Sequence, residues 1–281
     1  MIPAKFEYAR ASSVDEAVRL LSEGGDEAKV LAGGQSLIPL LRLRLAAPSL
    51  LVDVGGVPEM IGVRDTGDTI VIGAMTTHAD VLRDPLVAAY APLVAQATAT
   101  VADRQVRHRG TFGGSLAHGD PAGDLPAVAL ALDAVCAIAS PRGRRDVPAA
   151  EFFVDFLTTA LAADEVLVSV SIPKRPGWRT HYEKFNRVAQ AWALVGVAAA
   201  VRTENGSIAQ ACIALTNMGT TPVRASATEQ ALAGAKFGEI EAAAAHAADG
   251  THPGDDLSAS AEYRTHLAAV LTKRAVLAAL A

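Results

Sequence analysis

One stretch constrains this chain more than any other: Gly110-Thr111-Phe112-Gly113-Gly114-Ser115-Leu116-Ala117-His118-Gly119-Asp120-Pro121-Ala122-Gly123-Asp124. Glycines, carboxylates, a histidine and hydroxyl residues sit there between an expected helix and a long apolar run, so the segment cannot form a core of its own. Glycine lets backbone N–H groups approach a bulky anion that a Cβ would obstruct. A shorter version, Ala32-Gly33-Gly34-Gln35-Ser36, lies far upstream and directly follows an expected strand over residues 29–32. Strand followed at once by a glycine turn is a common way of holding nucleotide phosphates. Two such turns suggest two clamps on one phosphate-bearing ligand.

The rest of the composition narrows the class. At 281 residues the chain has material for one large domain or two ordinary ones. Half of it is hydrophobic yet only 5% is aromatic, so the core must be built from Ala, Val, Leu and Ile. A net charge of −5 gives no electrostatic case for nucleic acid or an anionic membrane surface. The basic clusters at 104–109 and 142–145 are short, enough for one phosphate. Cys136 and Cys212 lie far apart in apolar surroundings and read as buried small hydrophobes, with no zinc, cluster or disulfide spacing. The N-terminus turns polar by Lys5 and Glu7, and apolar runs such as 194–201 are too short to span a bilayer. The expectation is a soluble, cytoplasmic protein.

In chain order, Ser13 and Glu16 read as a capping box opening a helix whose apolar residues Val14, Ala17, Val18 and Leu21 recur at helical spacing until Gly24-Gly25. A helix is expected over 39–45, with Arg42 and Arg44 free for solvent or ligand. Strands over 50–54 and 69–73 are expected in one sheet. Thr77 to Asp80 offers a cap, and a helix over 92–104 leads into the glycine stretch. Helix is expected over 126–132, strand over 134–139, and a clear strand over 166–172 ends at Pro173. Residues 174–179, with Pro176 and Gly177 and directly after Pro173, form the expected domain junction. Asn205-Gly206 signals a hairpin, Ser226 to Glu229 a second capping box, and 263–281 a helix. The pattern is α+β in two domains, with antiparallel pairing signalled only in the last third.

Neither glycine turn matches the Gly-x-Gly-x-x-Gly fingerprint of the Rossmann fold. The longer stretch permits two readings. In one, backbone donors at Gly113 and Gly114, with hydroxyls of Ser36, Thr111 and Ser115, hold a pyrophosphate while Asp124 accepts from a ribose or ring. In the other, His118, Asp120 and Asp124 chelate a divalent metal in a hydrolase; this leaves the glycines unexplained and lacks a fourth ligand. A third class is a non-enzymatic scaffold whose loops dock a partner.

These residues resemble the paired flavin-binding motifs of the molybdenum hydroxylase flavoproteins: the medium subunits of carbon monoxide dehydrogenase-type enzymes and the flavin domain of xanthine dehydrogenases. The resemblance spans the chain and includes Gly73-Ala74-Met75-Thr76-Thr77-His78, Asp120 to Pro126, Ile172-Pro173, Lys184 and Thr221-Pro222-Val223-Arg224. It implies a two-subdomain FAD-binding domain of the vanillyl-alcohol-oxidase/PCMH type over residues 1–175. A smaller C-terminal domain of antiparallel sheet with helices would follow over 176–281. By motif, Ala32, Gly33, Gly34, Gln35 and Ser36 would wrap the FAD pyrophosphate together with Thr111, Phe112, Gly113, Gly114 and Ser115. Asp124 would hold a polar part of the cofactor, Leu167 and Lys184 would line the site near the flavin, and Thr77 and Val101 would join the cofactor-binding set. Trp192 falls where relatives place an aromatic beside the isoalloxazine; the plain alternative is a core or interface tryptophan. Gln35 stands where relatives often have histidine and Ser115 where many have asparagine. Ala189-Gln190-Ala191 lacks the aspartate common before the aromatic, and the cysteine-bearing insertion of one branch is absent.

The resemblance further implies that substrate is oxidised at a molybdenum cofactor in a large partner subunit. Electrons would pass through [2Fe–2S] clusters of a small subunit to FAD here, and on to a quinone or other acceptor. Two isolated cysteines cannot ligate such clusters. The expected assembly is a dimer of heterotrimers, whose peripheral membrane association the resemblance leaves open. No residue of this chain is expected to act as a catalytic base or nucleophile; His118 reads as a support of its motif. The carbon monoxide dehydrogenase branch is the first expectation, with nicotine-, purine-, caffeine- or aldehyde-oxidising enzymes as alternatives.

Overall fold

Short β-rich runs alternating with helical spacing dictate how the chain begins. β1 (Glu7–Arg10), α1 (Val14–Gly24), β2 (Ala28–Leu31), α2 (Leu37–Leu43) and β3 (Leu50–Asp53) follow one another in the computed structural model, which describes residues 2–281. The strands pair in parallel in the order β1-β3-β2, each helix serving as the crossover that a parallel connection needs. α1 buries Val14, Ala17, Val18 and Leu21 as its spacing predicts, and Gly25 ends it at φ +61°. Only half of the expected capping box forms. The Ser13 hydroxyl accepts from the Glu16 N–H at 3.1 Å, but the Glu16 carboxylate accepts from the N–H and hydroxyl of Ser12 instead, at 2.8 and 2.6 Å. α2 starts two residues before Pro39, because proline is tolerated in a helix's first turn.

The second subdomain carries β4 (Val63–Asp65), β5 (Thr69–Gly73), α3 (His78–Val81), α4 (Pro85–Tyr90), α5 (Pro92–Thr100), α6 (Arg104–Arg107), α7 (Phe112–His118) and α8 (Asp124–Ala131). β6 (Val135–Ser140), β7 (Gly143–Pro148), α9 (Ala149–Phe152), the hairpin strands β8 (Phe153–Asp155) and β9 (Thr158–Thr159), and β10 (Val166–Pro173) complete it. Five of these strands form an antiparallel sheet in the order β4-β5-β10-β6-β7. The expectation that residues 50–54 and 69–73 share a sheet is therefore wrong. β3 is paired over its full length on both edges, by β1 and β2, so β5 has no edge there to join. The helix expected over 92–104 is also broken. α5 stops at Thr100, Ala102 takes a positive φ of 40°, and the Asp103 carboxylate opens α6 by accepting from the Val106 N–H at 2.8 Å. Asp103 offers the backbone a cap in place of a continuing turn.

The C-terminal part holds β11 (Trp178–Phe185), β12 (Val195–Glu204), β13 (Ser207–Thr216) and β14 (Val223–Arg224) in one antiparallel sheet, with α10 (Ser226–Leu232), α11 (Ile240–Ala244) and α12 (Ala261–Leu280). Asn205 and Gly206 turn β12 into β13 with φ of 50° and 79°, as the dipeptide predicts. The second capping box does not form: Ser226 is already helical and caps nothing. Its expected partner Glu229 instead accepts from the Ile213 N–H at 2.7 Å and pairs with the Arg224 guanidinium.

β12 explains how the two parts adhere. Val195, Val197, Ala199 and Val201 face a core shared with α12, while Ala198 and Ala200 face the core of the first 175 residues. A strand buried on both faces reads as a continuous apolar run, which is what residues 195–201 are. Against its alanine face lies α8, every residue of which is buried. Cys136 and Cys212 are buried free thiols, as expected. Among the described residues no helix is long and apolar enough to cross a membrane.

Candidate functional site

The two glycine turns meet. Both line a cavity of about 750 Å³, the size of a cofactor pocket, between the parallel sheet, the antiparallel sheet and the edge of the C-terminal sheet. The first turn leaves the C-terminal end of β2, where open parallel sheets commonly present ligands. A Cβ on Gly33 would collide with the Arg109 carbonyl and come within 2.8 Å of Gly110 Cα, so the turns touch backbone to backbone. Gly34 has φ +75°, and the Gln35 amide turns back onto the Gly33 carbonyl at 3.1 Å. The N–H groups of Gly34, Gln35, Ser36 and Leu37 have no acceptor among the described residues, and Ser36 makes no side-chain cap. These are free donors at the cavity wall.

The second turn is built differently from the expectation. Thr111 caps α7, its Oγ1 accepting from the Gly114 N–H at 3.1 Å. The N–H groups of Phe112 and Gly113 donate to the carbonyls of Thr76 and Ala74, both at 2.9 Å, and that of Ser115 donates to the Thr111 carbonyl at 3.1 Å. Gly113 and Gly114 thus line the cavity with their N–H groups already engaged. Their lack of a Cβ serves packing: one on Gly113 would collide with Ala74, and one on Gly114 would lie 2.5 Å from Thr111 Oγ1. What this turn offers the cavity is hydroxyls, those of Thr111 and Ser115.

Two expected residues lie off the cavity. Phe112 is fully buried in the core. Thr77 spends its hydroxyl on Asp80, accepting from its N–H at 3.1 Å and donating to its carboxylate at 2.6 Å. Ala32, Val101, Leu167, Asp124, Lys184 and Trp192 do line it. Val101 reaches it because α5 breaks there.

Asp124 is 5% exposed, and both its carboxylate oxygens are occupied. One accepts from the Tyr182 hydroxyl at 2.7 Å and the other from Lys184 Nζ at 2.8 Å, while Nζ also donates to the Thr100 carbonyl at 3.1 Å. Burial pushes the Asp124 carboxyl up from the usual carboxylate range, against the pull of Lys184 and Tyr182; the Tyr182 hydroxyl is pushed up by burial first and by Asp124 second. The chelation reading fails on this geometry. Asp124 is held by a cation, His118 Nε2 stands 4.0 Å from Asp120, and Asp120 caps its own turn by accepting from the Ala122 N–H at 2.8 Å. Among the described residues no group of three His, Cys, Asp or Glu side chains is placed to hold a metal.

Trp192 is 56% exposed at the cavity rim, beside Gln190, whose φ is 72°. It is not a core tryptophan. Leu157, Thr158 and Thr159 of the β8–β9 hairpin also line the cavity. Sequence reasoning left out His78, which is 2% exposed, lines the cavity and places Nε2 3.3 Å from Ser115 Oγ. Burial, and then the charge of Arg107, lower its pKa to about 4, so it is neutral at pH 7. No local signal joins residues 78 and 115; only the bridge pairing Thr77 with Thr111 brings them together.

The family described as the FAD binding domain in molybdopterin dehydrogenase matches residues 4–175, and the CO dehydrogenase flavoprotein C-terminal domain matches residues 180–279. The chain is 42% identical to the carbon monoxide dehydrogenase medium chain of Hydrogenophaga pseudoflava over 286 residues, covering 100% of this chain and 99% of the relative. It is 39% identical over 284 residues to the 6-hydroxypseudooxynicotine dehydrogenase complex subunit alpha of Paenarthrobacter nicotinovorans, covering 100% and 96%. Among solved structures, the carbon monoxide dehydrogenase of H. pseudoflava that lacks the Mo-pyranopterin moiety superposes with a TM-score of 0.97 at 44% identity, covering 100% of this chain and 99% of that one. Quinoline 2-oxidoreductase of Pseudomonas putida 86 gives 0.94 at 35% identity, covering 99% and 98%.

Proposed function

Since the chain belongs to the FAD-binding subunits of the molybdopterin dehydrogenases, we propose that it is the flavin-bearing electron-transfer subunit of an aerobic carbon monoxide dehydrogenase. The observation that carries the flavin reading is the cavity itself. It joins the free N–H groups of residues 34–37 to the hydroxyls of Ser36, Thr111 and Ser115, a donor set suited to a pyrophosphate and poorly suited to a metal. The same cavity is also lined by Val101, Leu167 and Trp192, apolar surface suited to an isoalloxazine. FAD fits these residues. When bound, it supplies the redox chemistry that connects one-electron clusters to a two-electron acceptor. This chain's own residues position it. The Ala32–Ser36 turn binds phosphate oxygens, Lys184, held in place by Asp124, donates to polar atoms toward the ring end, and Trp192 shields the mouth from water.

The molybdenum cofactor belongs to a large partner subunit and the [2Fe–2S] clusters to a small one, in a complex we place in the cytoplasm. Two carbon monoxide dehydrogenase medium chains, at 42% and 37% identity, support carbon monoxide as substrate of that complex. The second reading, oxidation of a nicotine-type N-heterocycle, has its support in relatives at 39% identity. The test is to purify the chain with its co-expressed partners and follow flavin absorbance under anaerobic carbon monoxide. Bleaching of the flavin band by carbon monoxide is expected. Bleaching by nicotine-type substrates alone moves the complex to the second reading, and a preparation without any flavin overturns both.

A further inference from the structure

His78 lies outside both glycine turns, yet its ring is held against the second. The His78 backbone N–H donates to the Gly110 carbonyl at 2.9 Å, and a Cβ on Gly110 would lie 2.9 Å from the His78 Cδ2 and 3.2 Å from Nε2. Glycine at 110 thus makes room for the imidazole. The two ring nitrogens have unequal surroundings. Nδ1 is buried with no partner among the described residues, whereas Nε2 is 3.3 Å from Ser115 Oγ at the cavity wall. A neutral imidazole carries one proton. On Nδ1 it would be a buried N–H without an acceptor, the rarer and costlier kind of orphan, and Nε2 would then take the Ser115 proton. Ser115 would be left with only lone pairs to present to an anion.

We propose that His78 is a positioning residue for the anion end of the cavity: it carries its proton on Nε2 and donates it to Ser115 Oγ, turning the Ser115 hydroxyl to donate inward. The inference rests on the reading of this cavity as a phosphate-binding site and extends it to a residue that never touches the phosphate. With the Gly113 and Gly114 N–H groups engaged elsewhere, the Ser115 hydroxyl is one of few donors the second turn has left. Its orientation therefore sets how strongly that turn attracts an anion. Burial and the charge of Arg107 keep the imidazole uncharged, so the relay holds at neutral pH.

The test combines a direct readout with a coupling measurement. ¹⁵N-edited NMR of the histidine-labelled full chain is expected to show His78 as the Nε2–H tautomer, assigned by loss of its signals in His78→Gln. The Nδ1–H tautomer overturns the proposal, whether or not flavin binds. FAD affinity of the deflavinated full chain is then titrated by fluorescence. His78→Leu is expected to weaken FAD binding about tenfold, the equivalent of one hydrogen bond. His78→Gln, which keeps an N–H donor, should recover most of the loss. In a Ser115→Ala background His78→Leu should add nothing. An equal loss in that background shows that His78 acts through packing alone and sinks the idea. A wild-type chain that takes up no FAD instead defeats the flavin reading, while the tautomer still reports on the His78–Ser115 pair. Should His78→Leu fail to fold, the tautomer and the His78→Gln affinity still decide the matter.

Discussion

At the scale of single residues, the glycines of the two turns do different jobs from those their spacing advertises. Motif reading gives all of them to the ligand, yet the N–H groups of Gly113 and Gly114 are already engaged, whereas that of Gly34 has no acceptor among the described residues. Gly33 exists so that one backbone can lie on another, whereas Gly114 leaves space beside the cap hydroxyl of its own helix. Substitutions should separate the two. A methyl at Gly33 meets the Arg109 carbonyl, a rigid backbone atom that nothing nearby can displace. Gly33→Ala should therefore cost about 3 kcal/mol or more as an overpacked contact. A methyl at Gly114 meets Thr111 Oγ1, which can rotate away by giving up its cap. Gly114→Ala should cost about 1 kcal/mol, the worth of a cap. Urea titration of the two apoproteins measures both, and equal losses would refute the division of labour.

Between elements, the link that matters joins α8 to β11. Asp124, the first residue of α8, is bound by Tyr182 and Lys184 from the opposite sheet, with side chains of Asp124 and Lys184 only 4% and 6% exposed. Asp124→Ala leaves an ammonium buried without its counter-charge and should destabilise the apoprotein by about 3–5 kcal/mol. The double variant Asp124→Leu/Lys184→Met removes both charges and should recover most of that loss, since a buried pair replaced by apolar groups is often neutral. A double variant no more stable than Asp124→Ala would mean the loss is not an unpaired charge. None of this contact is written locally. The sequence makes α1 legible from its apolar spacing and the β12–β13 turn from Asn205-Gly206, because each depends on neighbours in the chain. It hides which sheet takes β5, and it misleads at Ser226, because the Ile213 N–H that claims Glu229 lies on another element. The same limit governs the site. Both glycine turns and most of the cavity wall follow from motifs, but His78 enters only through the Thr77–Thr111 bridge, and Thr77 and Phe112 turn out to face away from the cavity.

For the whole molecule, the question is whether two domains behave as two. The core around the flavin cavity is completed by Tyr182, Ala198, Ala200, Cys212 and Ala214, all supplied from beyond the junction at 174–177. The small side chains among them, Ala198, Ala200 and Ala214, let α8 lie close on the second sheet, so separating the parts would expose a helix that is buried throughout. The junction itself is pinned: Lys174 pairs with Asp65 at 2.6 Å, and Arg175 pairs with Asp133 and stacks 4.9 Å over the Trp178 ring. Shared burial of this extent makes unfolding cooperative across the boundary. The chain's two tryptophans, Trp178 and Trp192, both lie after the junction, whereas far-UV circular dichroism reports on every helix and strand. Urea unfolding followed by tryptophan fluorescence should therefore coincide with unfolding followed by circular dichroism, in one transition. A fluorescence midpoint clearly below the dichroism midpoint would show the second part melting alone, with β12 stripped from α8 while the parallel and five-stranded sheets remain.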